Sequence, residues 1–169
     1  MGQDMMIAIR ARMILVTASS LITLGGCAPK GKTMDESQLR DFAREYTAAW
    51  CSQNAASVAA FFADGGSLKI NDGTPSVGRT AIIAAAQGFM TAFPDMVVTM
   101  DGLSLDGRQA VYRWILVGTN TGPGGTGNSV RISGYEEWTI GSDGLIAESK
   151  GHFDEADYER QLNAGSGGS

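Results

Sequence analysis

The spacing of apolar residues changes once along this chain, close to residue 95, and the change divides it into a helical half and a strand half. In the first half Leu39, Phe42, Ala43, Tyr46, Ala49 and Trp50 recur at intervals of three and four, the pattern of a helix with one buried face. Thr33 and Glu36 fit a capping box at its start. Asn54 is placed to cap a second, short helix that runs through Phe61 and Phe62 and ends at Asp64-Gly65-Gly66. Ser67 to Asn71 then alternates as a strand. Gly78 or Thr80 opens a third helix carrying Ile82, Ile83, Ala86, Phe89, Met90 and Phe93. Pro94 stops it, because proline disfavours helix in the residue before it.

From Met96 the period becomes two. Residues 96–105, 110–119, 129–140 and 145–154 are strand candidates, joined by Asp106-Gly107, a Gly-rich loop at 122–128 and Ser142-Asp143-Gly144. Links this short make neighbouring strands antiparallel. Glu155 to Leu162 reads as a closing helix and 163–169 as a flexible tail. Helices around a short strand, followed by a long meander, predict an α+β domain. In it a strongly curved sheet wraps against three N-terminal helices and encloses a cone, a natural small-molecule pocket.

With 169 residues, 43% of them hydrophobic, the chain has the length and apolar content of one globular domain. A formal charge of −5, with 13 Lys and Arg residues scattered along the chain, excludes nucleic acid as a partner, because a phosphate backbone needs clustered cations. GPGGTG lacks the strand-to-helix context and the lysine of a phosphate loop and reads as a hairpin turn.

At the N-terminus Arg10 and Arg12 precede the apolar run MILVTASSLITL, which is too short to span a bilayer of about 30 Å. The following Leu24-Gly25-Gly26-Cys27 resembles a bacterial lipobox. Residues 1–26 are therefore expected to be a lipoprotein signal peptide, 27–34 a tether beginning at lipidated Cys27, and 35–162 the folded domain. This predicts a lipid-anchored protein of the bacterial cell envelope, on the outer membrane facing the periplasm if the host is Gram-negative. Cys51, left without a partner, sits in a helical run as a core residue rather than a nucleophile.

Four stretches, FPDM at 93–96, RWILVGTNTG at 113–122, GYEEWTIGSDGLI at 134–146 and the spacing from Asp154 to Gln161-Leu162, resemble the SnoaL-like polyketide cyclases of the NTF2-like fold. The resemblance covers about residues 37–162. It implies the NTF2-like cone, a small hydrophobic ligand, no cofactor, no metal, and a homodimer formed through the outer face of the sheet, with Arg113, Tyr135 and Thr139 on that face. For the characterised cyclases it implies an intramolecular aldol closure in which a carboxylate on the last strand moves a proton. It also implies pocket positions at Trp114 and Asn120, with Asn120 standing where the family often has His, Lys150 where it often has Trp, and His152 at the position of the cyclase carboxylate.

Alternation places Ile146, Glu148, Lys150, His152 and Asp154 on one face of the last strand, and the resemblance implies that this face lines the cone. On the preceding strand Glu136 and Trp138 are expected inside, and Tyr46 and Trp50 reach the same region from the first helix, either as core aromatics or as ligand contacts. A Glu136–Lys150 pair, His152 as general base and Asp154 orienting it would make an acid–base site; the same cluster also reads as a structural ion-pair network. Lys150 in the group argues against a metal. Two functions follow: an enzyme of cyclase, isomerase or hydrolase type acting on a small hydrophobic carbonyl compound, or a lipid-anchored module that binds a ligand without changing it.

Overall fold

The first helix, α1 (Glu36–Cys51), is capped by Asp35, whose side chain accepts from the Gln38 amide while Gln38 reaches back to the Asp35 amide. The computed structural model describes residues 34–164, so Thr33, the expected cap, and Cys27 with the whole targeting segment lie outside the described residues. Leu39, Ala43, Tyr46, Ala49 and Trp50 form the buried stripe of α1, as their spacing predicts.

Asn54 caps α2 (Ala55–Ala59) by accepting from the Ala56 amide, but the helix stops before Phe61. Phe62 instead begins β1 (Phe62–Ile70), because its backbone pairs with Ile146 and the Ile146 amide donates to the Phe61 carbonyl. Asp64-Gly65-Gly66 is therefore not a helix stop but the irregular step between Phe62 and Ser67, where Gly66 passes so close to the Ile146 carbonyl that a Cβ would clash at 2.7 Å. A two-residue β2 (Ser76–Val77) leads to Gly78, whose φ of 80° turns the chain into α3 (Arg79–Ala92).

Four long strands follow: β3 (Val97–Asp106), β4 (Gln109–Thr119), β5 (Ser129–Ile140) and β6 (Ile146–Phe153), then α4 (Glu155–Leu162). They pair antiparallel in sequence order, and β1 joins β6 in parallel, giving one mixed sheet of order β2-β1-β6-β5-β4-β3. The helices lie against one side of the curved sheet. Between them sits the core, where Leu39, Tyr46, Phe62, Ile82, Tyr112 and Trp138 are almost wholly removed from water. The α+β architecture expected from the pattern, a curved sheet wrapped against helices, is the one observed.

Candidate functional site

Alternation holds along β5 over its whole length. Val130, Ile132, Glu136, Trp138 and Ile140 are buried on the inner face, while Arg131, Tyr135 and Glu137 face outward. Glu136 is thereby carried into the aromatic core beneath α1 at 6% exposure. Three donors converge on its Oε2: Ser149 Oγ at 2.6 Å, Trp138 Nε1 at 2.9 Å and the Tyr46 hydroxyl at 3.0 Å. Its Oε1 has only the longer 3.3 Å contact with the same Tyr46 hydroxyl. Burial pushes the carboxyl above its ordinary range, and the three donors pull it part of the way back.

The surrounding rings fix this geometry. Tyr112 stacks on Trp138 at 4.8 Å, and Tyr46 meets both edge-on. Tyr112 is tied to α1 through its hydroxyl, 2.7 Å from Thr47 Oγ1, which donates to the Ala43 carbonyl. Desolvation raises both tyrosines, so they remain neutral hydrogen-bonding groups beside the carboxyl.

Next to this cluster the sheet and helices enclose a cavity with about 60 Å³ of room for the centres of water-sized molecules. One water needs about 10–15 Å³ by the same kind of measure, so the space suits a compact organic molecule. Its walls are apolar, with Leu68, Phe89, Val98, Ile132 and Phe153 among them, and Trp50, Tyr112, Trp114 and Glu136 complete the lining. Gly151 pairs with Glu136 across the strands and leaves the floor open: a Cβ there would meet nothing nearer than 3.5 Å.

The face expected for β6 is overturned. Thr139 pairs with Glu148 but Ile140 with Ile146, so one step on β5 spans two on β6 and Ala147 is an extra residue. The parity flips there. Ser149, Gly151 and Phe153 face the core and cavity, whereas Glu148, Lys150 and His152 lie on the outer side. Lys150 pairs with Glu148 at 3.2 Å instead of with Glu136. His152 stacks on Tyr135, and its Nε2 lies 3.5 Å from Glu137 Oε2 without hydrogen-bond geometry. Asp154 caps α4 by accepting from the Asp157 amide. His152 and Asp154 do come together, but around an outer depression shared with Asp101, Arg113 and Tyr135.

Asn120 is likewise outside the cavity. Its amide donates to the Ala92 carbonyl and accepts from the Thr126 amide, holding the β4–β5 loop against the end of α3. Of the residues singled out from the sequence, Glu136, Trp138, Tyr46, Trp50 and Trp114 are brought together at the core and cavity. Ser149, Gly151, Tyr112 and Thr47 complete the arrangement and were not anticipated. The small residues of the 147–151 run were the available signal, since a buried carboxyl beside a cavity needs a small donor and an open neighbour. Among the described residues no group of three His, Cys, Asp or Glu side chains is placed to hold a metal, and no helix is long and apolar enough to cross a membrane.

A family model described as SnoaL-like polyketide cyclase matches residues 40–162. No curated protein matches the sequence. Among solved structures, TsrD from Streptomyces laurentii superposes with a TM-score of 0.67 at 22% identity, over 77% of this chain and 98% of that one. A protein of ketosteroid isomerase-like fold from Catenulispora acidiphila, in complex with trimethylamine, gives 0.66 at 14% identity, over 73% and 92%. SalBIII, an epoxide hydrolase/cyclase-like enzyme of pyran ring formation in the polyether salinomycin, gives 0.63 at 18% identity, over 73% and 96%. At these identities the likeness is one of fold.

Proposed function

We propose, for a chain that belongs to the SnoaL-like polyketide cyclase family, that the cavity beside Glu136 is an acid–base site for a small hydrophobic carbonyl compound. The observation that carries this reading is the asymmetry of the carboxyl. All three short donors sit on Oε2, so Oε1 is the oxygen left to hold or take up a proton. A carboxyl whose pKa is raised by burial exchanges protons closer to neutral pH than an exposed one, and the aromatic cage fixes its orientation. The chemistry is proton removal next to a carbonyl, the step common to cyclisation and isomerisation.

Exchange of deuterium from heavy water into the carbon next to the carbonyl of cyclohexanone provides the test. Wild-type protein is expected to accelerate it, Glu136→Gln to lose about 100-fold or more of that acceleration, and His152→Ala to keep it. Retained exchange in Glu136→Gln rejects the assignment. Binding of the ketone without any exchange identifies a ligand-binding module instead.

The lipobox-like run supports anchorage of the domain to a bacterial envelope membrane through Cys27, outside the described residues. Release of a Cys27→Ser variant from the membrane fraction is the expected result. The outer face carries exposed Tyr135, Val97 and Val117, which supports a homodimer through that face, checked by light scattering at micromolar concentration.

A further inference from the structure

Trp114 carries a polar group that the fold leaves unused. Its indole nitrogen is buried and finds no acceptor among the described residues, although the ring lines the cavity. The aromatic tips around it differ: Trp138 Nε1 and the Tyr46 hydroxyl bind Glu136, and the Tyr112 hydroxyl binds Thr47. A buried N–H without a partner costs about 1–3 kcal/mol, so a fold that keeps one beside a cavity has a donor for whatever enters.

The ring is also held in place by backbone. Trp114 pairs with Gly134 across β4 and β5, and a Cβ on Gly134 would lie 2.4 Å from Trp114 Cζ2 and 2.7 Å from Cη2. Gly134 thus admits the indole over the sheet, and Phe153 flanks it at 6.4 Å between ring centroids. Gly134 is two residues before Glu136 on the same face of β5, and the Trp114 and Glu136 side chains line one cavity.

We infer that the Trp114 N–H is the donor to the carbonyl oxygen of the compound on which Glu136 acts, and that the ligand class is a neutral, compact ketone or aldehyde with a C–H next to its carbonyl. This rests on the acid–base reading of Glu136. In the step, the C–H bond breaks and its proton passes to Glu136 Oε1. The electron pair moves through the adjacent carbon to the carbonyl oxygen, and the enolate oxygen so formed accepts the Trp114 N–H. The reverse transfer returns the proton. A donor positioned where charge develops favours this step over mere binding.

The test uses 15N-labelled protein, whose three tryptophans give three indole N–H signals. Loss of one signal in Trp114→Phe assigns it. Cyclohexanone is expected to move that signal downfield, and methylcyclohexane, which lacks the oxygen, is not. Trp114→Phe should bind cyclohexanone about 2- to 10-fold more weakly and methylcyclohexane as the wild type does. An unmoved Trp114 signal on ketone addition, or unchanged ketone affinity in Trp114→Phe, overturns the inference. The deuterium-exchange comparison of wild type with Glu136→Gln is read separately. Exchange that depends on Glu136 with an unmoved Trp114 signal sinks the donor assignment alone, and a moved signal without exchange sinks the acid–base reading alone.

Discussion

Glu136 and Glu137 are neighbours on one strand and live in opposite environments. Glu136 points into the core, takes three hydrogen bonds on one oxygen and has its pKa raised by burial. Glu137, with half its side chain exposed, faces the imidazole of His152. The same division separates Ser149 and Gly151 from Lys150 and His152 on β6. The density of ionisable residues and the burial of a carboxyl therefore fall on opposite faces of this sheet. The crowded outer face is screened by water, where pairs such as Lys150–Glu148 contribute about 0–1 kcal/mol. The sparse inner face holds one carboxyl whose every contact is made in a dry medium.

The largest expected contrast between the faces is mechanical. Trp138→Ala removes a fully buried indole that stacks on Tyr112 and donates to Glu136, and should lower stability by about 3–5 kcal/mol. Tyr135→Ala, three residues earlier on the same strand, removes a ring that is 40% exposed and rests on His152, and should change stability by less than about 1 kcal/mol in the monomer. Chemical denaturation of both variants measures the difference. Equal losses would mean that the two faces are not distinct in burial.

A second contrast lies in pH dependence. The folded protein holds the Glu136 proton more tightly than the unfolded chain does, across the window from the ordinary value of 4.5 up to the raised folded value. In that window the unfolded state carries fewer protons than the folded one, so stability falls as pH rises and levels off above it. Glu136→Gln, whose amide oxygen can keep the three donors, should lack this component. Glu137→Gln should leave it in place. Denaturation midpoints for wild type and both variants, compared from acid to neutral pH, isolate the contribution of Glu136, and an identical slope in Glu136→Gln would remove the basis for a raised pKa.

How far the sequence reveals these faces depends on whether alternation is unbroken. The stripe of α1, the Pro94 stop, the four long strands and α4 follow from spacing and turn residues, because each is settled by local propensity and one buried face. Glu136 and Trp138 are legible for the same reason: β5 has no irregularity until its last residue. His152, Lys150 and Glu148 are misplaced by a single extra residue, Ala147, since one bulge moves every later side chain to the other face. The parallel pairing of β1 with β6, which puts Phe62 in a strand, depends on partners more than 80 residues apart and leaves no local mark.

The smallest contrast tests the floor of the cavity itself. Gly151 has a backbone that any residue can adopt, and an added Cβ would sit in ordinary contact with Lys69 O at 3.5 Å and Glu136 Cγ at 3.7 Å. Gly151→Ala should therefore fold, and by restricting the unfolded chain should gain about 0.4–1 kcal/mol of stability. The new methyl group would occupy space beside the carboxyl, so cyclohexanone binding should weaken while stability rises. Lys150→Ala, one residue away on the outer face, should change neither property appreciably, because it removes only the half-exposed pair with Glu148. A thermal melt and a ketone titration on each variant separate the outcomes. If Gly151→Ala gains stability and binds the ketone as well as the wild type does, the ligand does not approach Glu136 from this floor. If Lys150→Ala is the variant that loses binding, the ligand lies on the outer face of the sheet, among the residues that alternation alone would have chosen.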